Sequence, residues 1–455
     1  MEYNEFLKTK EYSYQNTGFD IDESELNENL FPFQKKIVQW ALKKGKCALF
    51  LDTGLGKTIC QLSFADAVCK HENGKALILA PLAVSKQTKH EGEKFGINVN
   101  ICRKQEDVKD GVNITNYEML QHFNPSEFCC VVLDESSILK SFMGKTKRLL
   151  CDILSDIPYK MACTATPAPN DTMEILNHAE FLSVMRSSEA LAIWFIADQS
   201  AMGNYRLKAH AVDDFYRWVS SWAIGINKPS DIGFSDDGYI LPDLKENNII
   251  CGENQFLGSM NIQKASATNY NRLRRNTIDI RCSKCAEIAN SSNEQYLIWC
   301  DLNDEARLLK KLIPDAVEIS GSDKAEKKED AAVDFASGKI RVLISKPLIF
   351  GFGLNFQNCH NIIFCGLSYS YENYYQAVRR CWRFGQKNSV NVDRIITQSE
   401  KYMLDTLNAK SNNHREFTDS MTSNMKNYQL QTGTFFKLDL SEHRIEVPSG
   451  LKEEN

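Results

Sequence analysis

Two tandem parallel α/β domains with a helical insertion between them are the fold class this sequence predicts. Short apolar runs alternate with helical patterns from residue 31 to about 182, and again from 291 to about 400. A stretch of interleaved aromatic and basic residues separates the two. A glycine-rich turn, Gly54-Leu55-Gly56-Lys57-Thr58, stands between the first apolar run and the helical pattern that follows. That is where a phosphate loop belongs.

Residues 1–30 read as an acidic lead-in, with eight acids and two lysines. In the first domain, 31–182, the expected strands are KCALFLD (46–52), KALILAP (75–81), VNITN (112–116), FCCVVLDE (128–135) and YKMACTATP (159–167). Pro81 and Pro167 stop two of them. Residues 183–290 read as a helical protrusion, with a turn-rich tip at 227–239. In the second domain, 291–400, the strands are QYLIWCD (295–301), AVEISG (316–321), IRVLISK (340–346), HNIIFCGL (360–367) and VDRIIT (392–397). Helices are expected over 304–313 and 371–384, and 401–455 reads as a helix with a loose tail.

Composition narrows the function classes. Apolar residues make up 43% of the 455, ample for large cores. No run of about twenty apolar residues exists, which argues against a membrane partner. The polar, acidic start does not resemble a signal peptide. Fifteen cysteines, an odd count set in strand-like runs, read as reduced thiols of a cytoplasmic protein. The net charge of -5 excludes a uniformly basic binding protein. Nucleic acid contact must come from local patches such as Arg272, Arg274 and Arg275. Cys282 and Cys285 form one CxxC; Cys251 and Cys300 are the thiols that could complete a zinc set.

The turn at 54–58 can cradle phosphate with its backbone N–H groups and the positive end of the next helix. Lys57 would reach the β- and γ-phosphates of ATP, and Thr58 its Mg²⁺. The full loop pattern has glycine where Leu51 stands. The second half of the site is Asp134-Glu135, leaving the apolar run 128–133. Asp134 would hold Mg²⁺ through water, and Glu135 would orient or deprotonate the attacking water. Each half has a plain alternative: a helix cap with a solvated lysine, and acids leaving a strand. Together they point to ATP hydrolysis.

On these and further blocks the chain resembles superfamily 2 helicase-type ATPases, and within them the Swi2/Snf2-like (SNF2) translocases. It is especially similar to the short versions carried by bacterial viruses and prophages. The resemblance covers roughly residues 30–400 and implies two RecA-like P-loop NTPase lobes. FPFQKKIVQW (31–40) resembles the opening block, where Gln34 would read adenine. ILAPLAVSKQTKHEGEKF (78–95) resembles a block near the nucleic acid backbone, with Thr88 in place of tryptophan and Glu91 retained. ITNYEML (114–120) resembles the block after it. Ser137 stands where the family has histidine after Asp-Glu. Thr164-Ala165-Thr166-Pro167 resembles the coupling motif, whose hydroxyls can bond to Asp134 or Glu135. Gly351-Phe352-Gly353-Leu354-Asn355-Phe356-Gln357 resembles the fifth motif, which implies that Gly353 lies at the nucleotide.

QAVRRCWRFGQ (376–386) is the most specific block. On a helix Gln376, Arg380 and Arg383 share one face, from which two guanidinium groups can span the γ-phosphate bound by the other lobe. Arg379 is expected to face solvent or the nucleic acid track, and Trp382 to pack against the core. The resemblance implies a DNA motor with ATP and Mg²⁺ as cofactors, monomeric, duplex-tracking, and open to a further protein partner. If phage-encoded, it would work in the bacterial host cytoplasm. A strand-separating DNA or RNA helicase is the alternative, with single strands or RNA as the track. A nucleotide-gated, non-catalytic subunit is a lesser one, disfavoured because both carboxylates are present.

Overall fold

The computed structural model describes residues 16–81, 84–142, 144–197, 205–252, 274–350 and 355–428. The first lobe is a seven-stranded sheet. Its strands are β1 (Lys46–Leu51), β2 (Lys75–Ala80), β3 (Val99–Ile101), β4 (Gly111–Asn116), β5 (Cys130–Asp134) and β6 (Tyr159–Cys163). A small hairpin, β7 (Phe195–Ala197) and β8 (Tyr205–Leu207), stands apart, and β9 (Ala223–Ile226) closes the sheet. The order is β3-β4-β2-β5-β6-β1-β9, every pair parallel. β1, β2, β5 and β6 are apolar and almost wholly buried, as strands covered by helices on both faces must be.

The second lobe holds β10 (Leu244–Ile250), β11 (Tyr296–Trp299), β12 (Val317–Glu318), β13 (Val342–Ser345), β14 (Asn361–Cys365) and β15 (Val390–Ile396). Their order is β10-β15-β14-β11-β13-β12, again all parallel. Each lobe has an apolar cluster on either face of its sheet.

Within 183–290 the described residues pack against both lobes. Trp194, Phe215, Trp218 and Trp222 fill the core of the first lobe, and β9 pairs with β1. β10 pairs with β15 along the edge of the second sheet. The aromatic texture reflects burial: helix Val212–Trp222 puts Phe215, Trp218, Val219 and Trp222 on its inner face. Arg274 is likewise no surface contact for nucleic acid. It is buried against Asp301 at 2.7 Å and lies beside Glu305 and Glu400. Arg281 pairs with the same Glu305 at 2.7 Å. Arg275 is exposed, and Arg272 lies outside the described residues.

The helix Lys401–Tyr428 ties the lobes together. Met403, Leu404 and Leu407 enter the second lobe's core, while Phe417 and Met421 enter the first. Gly225 in β9 makes room for it, since a Cβ there would lie 2.8 Å from the Met421 sulfur. Phe417→Ala is expected to cost about 3 kcal/mol, read as a lower urea midpoint. No helix among the described residues is long and apolar enough to cross a membrane.

Candidate functional site

β1 ends at Leu51, and the loop 52–56 leads into helix Lys57–Glu72. The loop needs its glycines. Gly54 and Gly56 have φ of +95° and +82°, values that side chains with a Cβ rarely adopt. A Cβ on Gly54 would also lie 3.0 Å from that of Phe384, and one on Gly56 only 2.2 Å from the Gln34 amide nitrogen. Leu51, in the place of the missing glycine, is simply the last buried residue of the strand.

Lys57 tucks under this loop. Its Nζ donates to the Leu51 carbonyl at 2.9 Å and approaches that of Asp52 at 3.5 Å. Burial lowers its proton affinity, opposed by the charges of Glu135 and Asp134. Thr58 follows, half-buried, in the first helical turn. Gln34 is buried with its amide engaged at both ends: Nε2 donates to Leu55 O at 2.9 Å, and Oε1 accepts from Phe31 N–H at 2.9 Å. Here Gln34 buttresses the phosphate loop, a role the sequence reading did not include.

β5 delivers the carboxylates. Asp134 accepts from Gln61 Nε2 at 2.8 Å, and its carbonyl accepts from Tyr117 Oη at 2.6 Å. Burial raises its pKa, against the pull of Gln61 and Lys57. Glu135 sits at φ +53°, ψ +55°, a left-handed conformation unusual for this residue and costing about 1 kcal/mol or more. Burial pushes its carboxyl up to about 7, while Lys57 pulls it down. A carboxyl poised near neutrality suits a general base.

The second lobe meets these groups directly. Gln376 Nε2 reaches Glu135 at 3.4 Å. Arg380 is held by Gln376, through its carbonyl at 3.0 Å and its side-chain oxygen at 2.8 Å, and its charge acts on Glu135. The Arg383 charge acts on Lys57, and Glu91 acts on Arg383.

The geometry corrects the helical reading of 371–384: the helix is Tyr371–Val378. Beyond it the N–H groups of Arg380 and Cys381 bond three residues back, to Ala377 and Val378. Tight turns of this kind, closed by Gly385 at φ +90°, present Arg380 and Arg383 from a loop. Phe356 N–H bonds to Arg380 O at 2.9 Å, tying the fifth motif to that loop. Gly353 lies outside the described residues.

Arg379 does not face solvent: it is buried and pairs with Asp52 of the first lobe. Trp382 packs against the second lobe's core and donates to Pro242 O at 2.7 Å. Thr164 Oγ accepts from Thr166 N–H at 3.1 Å. That bond turns the coupling motif onto itself, and neither hydroxyl reaches Asp134 or Glu135.

Residues 33–196 match the family model described as the SNF2-related domain, and residues 280–385 match the helicase conserved C-terminal domain. The chain joins an SNF2-related domain to a helicase C-terminal domain. Among its relatives is the cattle (Bos taurus) "DNA annealing helicase and endonuclease ZRANB3", 27% identical over 188 residues, or 37% of this chain and 17% of that protein. Another is "TATA-binding protein-associated factor mot1" of Schizosaccharomyces pombe, 33% identical over 115 residues, or 24% of this chain and 6% of that one. The matches thus span less than a fifth of these relatives' length. Among solved structures, S. cerevisiae Dbp5 bound to RNA and ADP BeF3 superposes with a TM-score of 0.52 at 13% identity, covering 88% of this chain and 98% of that one. It supports the tandem RecA-like architecture of the SNF2-related chain and nothing finer.

Two contacts of this SNF2-related site were missed by sequence reasoning. Ser137, in the family's histidine position, donates to Glu372 of the second lobe, which Lys140 also engages at 2.5 Å. His178, fully buried, meets Ser136 Oγ at 3.1 Å. No motif flagged either partner. Cys282 lies 3.7 Å from Cys365, while Cys300 and Cys251 bond to backbone carbonyls. Among the described residues no group of three or more histidines, cysteines or acids is arranged to hold a metal.

Burial pushes His178 down to about 4. It stays neutral in the fold while the unfolded chain takes up a proton below about pH 6.5. Its contribution is complete above that pH and is lost as pH falls toward 4. His414 is likewise pushed down to about 4. His178→Gln should therefore lessen the fall in Tm between about pH 7 and 5, as calorimetry at each pH would record.

Proposed function

We propose that this chain is a nucleic-acid-dependent ATPase that moves on duplex DNA by closing and reopening its two lobes. The observation that carries this reading is the meeting of Lys57, Asp134 and Glu135 with Gln376, Arg380 and Arg383 across one cleft. Gly54, Gly56 and Lys57 would bind the phosphates of ATP, with Gln34 and the fifth-motif Gly353 at the nucleotide. Thr58 and Asp134 are hard oxygen donors of the kind Mg²⁺ takes, phosphate and water completing its shell. Held by these residues, Mg²⁺ would supply positive charge to offset that of the phosphates.

Glu135 accepts a proton from water as the water oxygen bonds to the γ-phosphorus. The bond from that phosphorus to the bridging oxygen breaks, and ADP and phosphate leave. Arg380 and Arg383 offset the charge that develops on the transferring group. Because the arginines come from the other lobe, only the closed form would be fully active, and product release would reopen it.

DNA as the track is supported by the relatives, a DNA annealing helicase and a TATA-binding protein-associated factor. The charge balance directs binding to local, phosphate-dominated contacts, hence salt-sensitive and poor in sequence preference. All fifteen cysteines are free thiols, which fits a reducing compartment such as the cytoplasm. Phosphate release against single- and double-stranded DNA and RNA is the test. Stimulation by duplex DNA at least as strong as by single strands is expected. Stimulation by RNA alone would overturn the DNA track, and length-dependent strand displacement would favour the strand-separating alternative.

A further inference from the structure

Asp52, the first residue of the phosphate loop, is held by the second lobe. Its carboxylate accepts from Thr53 N–H at 2.6 Å within the loop. Its carbonyl accepts from Leu55 N–H at 3.3 Å and lies 3.5 Å from Lys57 Nζ. Across the cleft the same carboxylate pairs with Arg379 and accepts from the Tyr375 hydroxyl. Asp52 therefore shapes the loop from within while its side chain answers to the other lobe.

Arg379 is built into its place. Its guanidinium lies 4.6 Å from the Trp382 ring centroid and 5.4 Å from that of Tyr375. It donates to Trp382 O at 3.2 Å and to Tyr375 Oη at 3.3 Å. Trp382 is anchored in turn on Pro242. Only 3% of Arg379 is exposed. A buried guanidinium that loses its carboxylate is strongly disfavoured, so such a pair resists being pulled apart. Beside it lies a cavity of about 610 Å³, lined by Asp52, Arg379, Trp382, Tyr239, Glu246 and His414 among others. Arg379 thus has room to move if the lobes part.

We propose that Arg379 and Asp52 form a cross-lobe latch that couples lobe closure to the shape of the phosphate loop. Both are positioning residues. Arg379 acts on Lys57 only through Asp52, and separately from Arg380 and Arg383. The inference rests on the ATPase reading above for its effect on turnover, and on geometry alone for its effect on closure.

The test uses the full chain with Arg379→Gln, Asp52→Asn, the double variant and Arg379→Lys. Solution scattering reads closure independently of hydrolysis. Arg379→Gln and Asp52→Asn should each enlarge the radius of gyration, and an unchanged radius in both would overturn the latch. With duplex DNA and ATP, each single variant should lower kcat about tenfold, and the double no further, the mark of one shared interaction. Arg379→Lys, which keeps the charge without the planar fork, should restore kcat in part. Effects that multiply in the double variant would show two unrelated packing defects and overturn the latch. A wild type that hydrolyses no ATP would refute the ATPase reading, leaving scattering to decide the latch.

Discussion

Glu135→Gln is expected to lower ATP hydrolysis by about 10²- to 10⁴-fold while leaving nucleotide binding intact. Gln keeps the size of the side chain and its left-handed backbone, but it cannot take the proton from water. The carboxyl lies where burial brings it to about 7, with Lys57 opposing that rise. It is thus able to hold a proton transiently and to release it. Removing the negative charge also removes repulsion toward a triphosphate, so binding should be retained or tightened. Single-turnover phosphate release with a fluorescent ATP analogue separates the two. A rate within threefold of wild type would mean that another group activates the water.

Lys57→Ala should lower kcat/KM by about 10²- to 10³-fold. The ammonium group is held by the Leu51 carbonyl at 2.9 Å and lies under the loop proposed to cradle phosphate. Lys57→Arg should not rescue it, because the slot accepts a compact ammonium and a guanidinium fork spans more than the carbonyls allow. The check is ATP titration of steady-state turnover, alongside thermal melts confirming that both variants fold.

Much of this was legible in the sequence. All ten expected strands are present, because parallel strands buried on both faces are written as short apolar runs. Five strands escaped, among them β7 and β8 of the hairpin, with three residues each. β3 has only three residues. β9, Ala-Ile-Gly-Ile, begins where a helix ends at Trp222 and was absorbed into it. β10 is an edge strand whose Lys245, Glu246, Asn247 and Asn248 disguise it as a loop. The groups proposed as catalytic stand out in the sequence because loop and strand chemistry dictates their local spacing. The contacts between lobes were not. Ser137 and Glu372 are 235 residues apart, and Asp52 and Arg379 further still. No periodicity links such pairs. Arg379 reads as facing solvent or the nucleic acid track because charge is usually exposed, whereas its aromatic neighbours bury it against a carboxylate from the other lobe.

If two lobes together build one catalytic site, Arg383→Ala is the decisive variant. Arg383 lies on the second lobe, yet its charge acts on Lys57 of the first. Turnover with duplex DNA and nucleotide affinity, measured on the same preparation, should show kcat reduced about 10³-fold with affinity little changed. Wild-type turnover in this variant would contradict the account, because hydrolysis would then need only the first lobe.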